Sequence, residues 1–216
     1  MIFLWIAFLL APLIAGAATD GLTRSTATED FVPEGYTLAN VTWTIPLTPG
    51  GQNHTFQGTV QEVFVQLNDL LVSKGLPPRP EPIDNTTSFD AELSAIRAEL
   101  GHGLNARTFD HTICQVPLPG VADGPAILSG IRHLNTVGTQ CRMEGPGACG
   151  RISCSYNSAI YWCNDKNGYQ EFPCSYFSQY VGLLLGLCAE TRDSGFWGQT
   201  FDTDQFNVYI GSGPRC

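Results

Sequence analysis

The chain has 216 residues, of which 14% are charged, and its formal net charge at pH 7 is −9. An acidic surface repels nucleic acid and anionic membranes, so we expect neither as a partner. The length is enough for one good hydrophobic core or two small ones.

Residues 1–17 have the layout of a signal peptide. An apolar run over residues 1–14 is followed by the small residues Ala15-Gly16-Ala17, which are typical of a cleavage site. The run is too short for a membrane span, and no other stretch approaches the ~18 apolar residues that a span requires. We therefore expect a secreted, extracellular protein without a membrane span.

A cysteine-free region, residues 18–110, follows the leader. Alternating apolar and polar residues over 36–47 predict a half-buried strand. Thr59 and Glu62 have the spacing of a capping box, which predicts a helix over 59–75. The four prolines of residues 76–87 predict an extended linker. A second helix is predicted over 88–101 from its apolar stripe.

Three N-glycosylation sequons lie in the same region, at Asn40, Asn53 and Asn85. Such sequons are used on surface loops of proteins that pass through the secretory route. Together with the leader they favour a eukaryotic glycoprotein.

The remaining segment, residues 111–216, predicts a disulfide-rich domain. Pro125 opens a helix, the segments RISCSY and AIYWCND predict two short strands around an Asn157-Ser158 turn, and a long apolar helix and a final strand follow. The predicted fold class is α+β: a small antiparallel sheet packed by helices in the order α-β-β-α-β, with disulfides. A strand-helix-helix segment precedes it.

The eight cysteines have three possible uses: metal ligands, a catalytic thiol, or disulfides. Structural zinc sites need two close cysteine pairs, and only one pair comes near that spacing. An even count in an exported chain leaves no obvious free thiol, so disulfides are the favoured use. They are Cys114, Cys141, Cys149, Cys154, Cys163, Cys174, Cys188 and Cys216.

The pairing of these cysteines stays open, since eight allow about 105 connectivities. An Asn157-Ser158 turn would place Cys154 and Cys163 diagonally on one face, which disfavours a bond between them. Cys174 and Cys188 lie near the two ends of a helix and should face the sheet. We expect the strand cysteines to meet them or the 114–141 segment, and Cys216 to hold the end of the chain.

Candidate catalytic groups are few. The pair Asp110-His111 is typical of a turn, and His133 is expected on a solvated helix face. Asp202 and Asp204 are typical of a turn before a strand. The chain contains no zinc-protease, nucleophile-elbow, phosphate-loop or dinucleotide motif. We therefore predict no catalytic residue, no metal and no cofactor. A hydrolase that uses carboxylate or His chemistry stays an alternative, since paired carboxylates come from distant parts of a chain.

Aromatic residues are concentrated in the cysteine-rich segment, and aromatics dominate both cores and contact sites. Ile160 and Trp162 are expected on the strand face opposite the cysteines, where Trp162 is either exposed or packed on the N-terminal half. With Trp197 they form the predicted binding surface. The aromatics concerned are Tyr156, Tyr161, Trp162, Tyr169, Tyr176 and Trp197.

The segment CGRISCSYNSAIYWCND, a helix ending at Cys188, and GQTFDTDQFNVYIG resemble small cysteine-rich secreted proteins of filamentous fungi, many of them candidate effectors. The resemblance covers roughly residues 114–212, and the order of elements is similar to the α/β fold of killer-toxin-like effectors. It implies an extracellular role at a host or competitor, by binding rather than catalysis.

The leading hypothesis is therefore a monomeric, secreted, effector- or toxin-like protein with a role in virulence. Its expected partner is an unidentified host or cell-wall component. The alternatives are the small hydrolase and a carbohydrate or cell-wall binding module.

Overall fold

The computed structural model describes residues 32–82, 88–101, 108–115, 120–137, 140–190, 195–213 and 216. The predicted signal peptide and the sequon asparagine Asn85 lie outside the described residues.

The described ranges contain ten strands and four helices. The strands are β1 (Thr37–Leu38), β2 (Thr42–Pro46), β3 (Asn53–Gln57), β4 (Phe109–Cys114), β5 (Gln140–Gly145), β6 (Ala148–Ser155), β7 (Ser158–Asn164), β8 (Gly168–Pro173), β9 (Gly198–Asp202) and β10 (Phe206–Ser212). The helices are α1 (Val60–Ser73), α2 (Phe89–Gly101), α3 (Gly124–Val137) and α4 (Phe177–Cys188), and a 3₁₀ turn, Cys174–Tyr176, leads into α4.

The strands form two sheets, so the fold is α+β but larger than the single small sheet predicted. One sheet has the order β1-β6-β7-β10-β9-β4 and is mixed, because β1 pairs parallel with β6. The other has the order β3-β2-β5-β8 and is antiparallel. The prediction of one small antiparallel sheet is wrong because five short strands (β3, β4, β5, β8 and β9) were not identified.

Helix α1 begins where its capping box predicts. The hydroxyl of Thr59 accepts a hydrogen bond from the backbone N–H of Glu62, and the Glu62 carboxylate accepts one from the backbone N–H of Thr59 at 2.7 Å. This arrangement satisfies two of the backbone donors that a helix N-terminus leaves unpaired. The helix buries one stripe of residues in the core: Val60, Val63, Phe64, Leu67 and Leu71.

The N-terminal region and the cysteine-rich region share both sheets. Thr42 of β2 pairs with Arg142 of β5, and Thr37 of β1 pairs with Ala148 of β6. One hydrophobic core also includes residues from both regions, among them Trp43 and Trp162. Burial of this continuous core is the main favourable term for folding.

The described part of the predicted linker, residues 76–82, is attached to the rest of the fold through Arg79. The Arg79 guanidinium donates to the carbonyl oxygens of Val137, at 2.8 Å, and Pro46, at 3.2 Å. Its backbone N–H donates to the side chain of Asn68 at 2.8 Å. The extended chain therefore holds a defined path although it contributes little core.

The β6–β7 hairpin turns one residue earlier than predicted. The turn residues are Tyr156 and Asn157, both at positive φ (49° and 55°), and Ser155 pairs with Ser158. Positive φ at both central residues is the geometry of a type I′ turn, which matches the twist of hairpin strands. A bulge before Ser153 then shifts the register, so that Cys149 lies opposite Cys163.

Candidate functional site

All eight cysteines form disulfides, which confirms the use predicted for them. The bridges are Cys114–Cys188, Cys141–Cys174, Cys149–Cys163 and Cys154–Cys216, with Cα–Cα distances of 5.3, 5.1, 3.9 and 5.1 Å. The cysteines beside α4 therefore bond to β4 and β5 rather than to the β6–β7 hairpin. A bridge of this kind typically contributes about 2–4 kcal/mol to stability.

The predicted binding surface is wrong for Ile160 and Trp162, because both side chains are fully buried. Strand β7 lies inside the six-stranded sheet and is covered on both faces. Helix residues cover one face, where Trp162 contacts Phe177 with ring centroids 4.7 Å apart. Trp197 is half-buried, and its role in binding stays a prediction.

Two other tyrosines of the aromatic group are strongly exposed. Tyr156, at the tip of the β6–β7 hairpin, is 83% exposed, and Tyr169, on β8, is 54% exposed. Tyr156 stands on a turn, whereas Tyr169 borders a groove. Because only Tyr169 borders a groove, we take it as the centre of the candidate binding site.

Strand pairing places charged residues beside Tyr169 on the open face of the four-stranded sheet. Glu144 of β5 lies opposite Tyr169, and Arg142 lies opposite Glu171. The Arg142 guanidinium carbon stands 3.9 Å from the centre of the Tyr169 ring, and its Nη2 lies 3.0 Å from Glu144 Oε1. Cation–π contact and ion pair together orient the arginine and cover one face of the ring.

A groove of about 630 Å³ runs between β8 and the turn that joins β9 to β10. We call it the Tyr169 groove. It is open to solvent and mixes an aromatic ring with side chains that donate or accept hydrogen bonds. Its lining residues are Lys166, Tyr169, Gln170, Glu171, Phe172, Thr203, Asp204 and Gln205.

The far wall of the groove is a turn fixed by hydrogen bonds. The backbone N–H of Gln205 donates to the carbonyl of Asp202 at 3.1 Å, and Asp204 N–H donates to the Asp202 carboxylate at 2.8 Å. Across the groove, Gln170 Nε2 donates to the Asp204 carbonyl at 2.7 Å. The turn predicted at Asp202 and Asp204 is thus confirmed, and it is tied to β8.

Beneath this turn, Asp202 is buried and takes part in a polar network. It accepts hydrogen bonds from Tyr180 Oη at 2.5 Å and Thr108 Oγ1 at 2.8 Å. Burial, and then the hydrogen bond to Asp202, raise the pKa of the Tyr180 hydroxyl, which therefore stays protonated and acts as a donor. The network fixes the base of the groove wall.

Neither His111 nor His133, both in the described ranges, lines one of the grooves described here. Asp110-His111 lies in β4 rather than in the predicted turn. His111 pairs with Phe201 of β9, and Asp110 lies at the register shift between Phe109 and His111. The His111 ring stacks on Phe201 at 4.6 Å, and its Nδ1 lies 2.8 Å from Asp110 Oδ2, with both side chains about half exposed. His133 is not solvated as predicted: its side chain is 15% exposed, because α1 places Phe64 edge-on against its ring.

A second groove, of about 540 Å³, lies between α1 and the connection from β1 to β2. The predicted glycosylation residue Asn40 borders it, and Asn40 and Asn53 are both exposed. Glycosylation at these positions stays a prediction. His111 does not line this groove or the Tyr169 groove, so neither groove is the acidic cleft around His111 that would favour the hydrolase alternative.

The fold and its bridges define a cysteine-rich α+β protein with four disulfides, a composition consistent with an extracellular location. Comparisons with protein-family models, curated proteins and solved structures find no match for this chain. Within the described ranges, no helix combines the length and the apolar character needed to cross a membrane. In the same ranges, no three His, Cys, Asp or Glu side chains are grouped to hold a metal ion.

The residues around Tyr169 carry a local signal for one wall of the groove. Asn167-Gly168 is a strong turn pair, and the alternation after it, with Tyr169 and Glu171 on one side and Gln170 and Phe172 on the other, is typical of a half-buried strand. These features predict β8 and an outward Tyr169. They do not predict the groove, whose other wall is about 30 residues further along the chain.

Proposed function

We propose that this protein is a secreted, disulfide-stabilised, effector- or toxin-like protein that acts by binding an extracellular target through the Tyr169 groove. The observation that carries the proposal is the exposed Tyr169 ring, held by Arg142 at the rim of an open polar groove. Exposed aromatic and arginine side chains are the residues most enriched at binding hot spots.

The rigidity of the site supports a binding role. The Cys141–Cys174 bridge joins β5, which carries Arg142, to the 3₁₀ turn that directly follows β8. Hydrogen bonds fix the opposite wall. A preorganised site loses little conformational entropy when its target binds, which favours affinity.

The test is binding of the purified, oxidised protein to intact plant cells, intact fungal cells and isolated wall material. We expect the wild type to bind at least one of these surfaces. The variants Tyr169→Ala and Arg142→Gln are expected to lose about tenfold or more in affinity, which is the effect of removing one hot-spot residue.

Tyr156→Ala is the matched control, because it removes an equally large, exposed tyrosine that does not line the groove. It should bind like the wild type. The proposal is wrong if the wild type binds none of these surfaces and evokes no cell response, or if Tyr169→Ala binds as tightly as Tyr156→Ala.

A further inference from the structure

We infer that the Tyr169 groove binds a neutral oligosaccharide. This inference rests on the proposed function, because it names the class of target that the same groove binds. A pyranose ring offers a face of C–H groups and a rim of hydroxyls. Each hydroxyl both donates and accepts a hydrogen bond. A complementary site therefore needs one exposed aromatic face and several polar side chains close to it.

The aromatic face is provided by Tyr169. Arg142 covers one face of its ring at 3.9 Å, yet the residue remains 54% exposed, so the opposite face is the accessible one. Because the guanidinium packs against the ring, the ring is held in one orientation before a ligand arrives. Such a surface favours a flat apolar face, which a sugar presents without a large conformational cost.

The polar side chains lie along the groove beside that ring. Glu171 and Asp204 carry acceptor oxygens, Lys166 carries a donor, and Gln205 offers both. A lining that contains both donors and acceptors matches the hydroxyls of a sugar chain better than it matches an apolar ligand. The groove therefore has the polar half of the required site.

Gln170 supplies an independent observation at the base of the groove. The residue is only 5% exposed, and its Nε2 donates to the Asp204 carbonyl. Its Oε1 is buried and has no hydrogen-bond partner in the described chain. Buried acceptors are normally paired, so Gln170 Oε1 is an unsatisfied acceptor in the lining of the groove.

Charge and size indicate a neutral chain. The lining carries the cation Lys166 and the carboxylates of Glu171 and Asp204. Beside it, Arg142 is paired with Glu144, so the site has a small excess of negative charge. The whole chain carries −9, which opposes the approach of a polyanion such as a uronic-acid polymer. A volume of about 630 Å³ lies within the range of ordinary small-ligand sites, about 300–1,000 Å³.

The test is titration calorimetry of the full, oxidised chain with three probes: a chitin oligosaccharide, a β-1,3-glucan oligosaccharide and an oligogalacturonate. We expect at least one neutral probe to bind and the anionic probe to bind about tenfold or more weakly. Tyr169→Ala should lose about tenfold or more in affinity for the neutral probe. Tyr169→Phe should stay within about twofold, since stacking does not need the hydroxyl.

Tyr156→Ala is again the matched control and should bind the neutral probe like the wild type. The inference is overturned if neither neutral probe binds, if the oligogalacturonate binds more tightly, or if Tyr169→Ala binds unchanged. The proposed function survives that failure if cell-surface binding still depends on Tyr169 but is abolished by protease treatment of the cells. In that case the target is a protein.

Discussion

Tyr36 connects two polar side chains and packs against a second, smaller cluster of buried residues in the six-stranded sheet, which consists of Cys149, Ala159, Tyr161, Cys163 and Tyr209. Its hydroxyl accepts a hydrogen bond from Asn207 Nδ2 at 2.9 Å and donates one to Asp165. The same Asn207 amide also donates to Asp165 at 2.9 Å. Each member of this small network therefore depends on the other two.

Burial, followed by the hydrogen bond to Asp165, raises the pKa of Tyr36 from 10.0 to about 12. In the unfolded chain the phenol loses its proton at lower pH than in the folded protein. The contribution of the Tyr36 phenol to the free energy of unfolding is therefore fully present below about pH 10 and is lost as the pH rises towards 12. We expect the free energy of unfolding of the wild type to fall across this interval.

Tyr36→Phe is expected to remove this part of the pH dependence. The variant should be less stable near neutral pH, because Asn207 and Asp165 lose a partner. Its stability relative to the wild type should recover as the pH rises from about 10 to about 12. Urea unfolding at a series of alkaline pH values checks this, and parallel stability curves for the two proteins would contradict it.

At the scale of elements, the passage from β7 to β8 carries the chain from one sheet to the other and sets the position of Tyr169. Asn164, the last residue of β7, is fully buried at this point. Its Nδ2 donates to the carbonyls of Met143 and Gly168, both at 3.0 Å, and its Oδ1 accepts from the Lys166 N–H at 2.9 Å. One amide thus fixes the start of β8 and its neighbour β5.

Asn164→Ala is expected to lower the free energy of unfolding by about 2–3 kcal/mol, because it leaves buried backbone groups unpaired. It should also weaken target binding through the displaced Tyr169. Denaturant unfolding measures the first effect and the binding titration the second. Asn167→Ala, in the exposed part of the same turn, is the control and should change stability by less than about 0.5 kcal/mol. An equal decrease in the free energy of unfolding of the two variants would contradict the role of Asn164.

The helices were predictable because their signals are local. The apolar stripe and capping box of α1, and the apolar stripe of α2, identify their own segments. Strands β5, β8 and β9 were missed because each is short and rich in polar residues. One partner of β5 is also distant in sequence, since β5 pairs with β2 about 100 residues earlier. Pairing over such distances leaves no local pattern.

The binding surface was predicted in the wrong place for Ile160 and Trp162 although the sequence carries a local signal of their burial. Residues 159–163, AIYWC, form a continuous apolar run, which is typical of a strand covered on both faces rather than of a half-exposed hairpin. The groove beside Tyr169 requires β8 and the β9–β10 turn to meet. Nothing within either segment indicates the other.

At the scale of the whole molecule, the four bridges differ in their access to solvent. Cys141–Cys174 and Cys149–Cys163 are fully buried. Cys114–Cys188 and Cys154–Cys216 each contain one exposed and one half-buried residue. Thiol–disulfide exchange requires the attacking thiolate to reach a sulfur atom, so access sets the order of reduction in the folded state.

We therefore expect mild, non-denaturing reduction to open Cys114–Cys188 and Cys154–Cys216 first, giving an intermediate with two bridges. Differential alkylation followed by peptide mass spectrometry identifies the opened cysteines. Because Cys141–Cys174 lies beside the Tyr169 groove, the intermediate should still bind the target. Simultaneous loss of all four bridges, or early loss of Cys141–Cys174, would contradict this order.

The placement of the bridges also has a mechanical consequence. Every covalent cross-link lies between residues 114 and 216, while β1, β2, β3 and α1 are joined to the remainder by packing and by hydrogen bonds such as those of Arg79. A pulling force applied near residue 32 would extend these elements first. The cross-linked segment would lengthen much less, since its closed loops limit how far the chain can be drawn out. When stretched, the protein should thus yield in one part and resist in the other, and the Tyr169 groove has both of its walls in the part that resists.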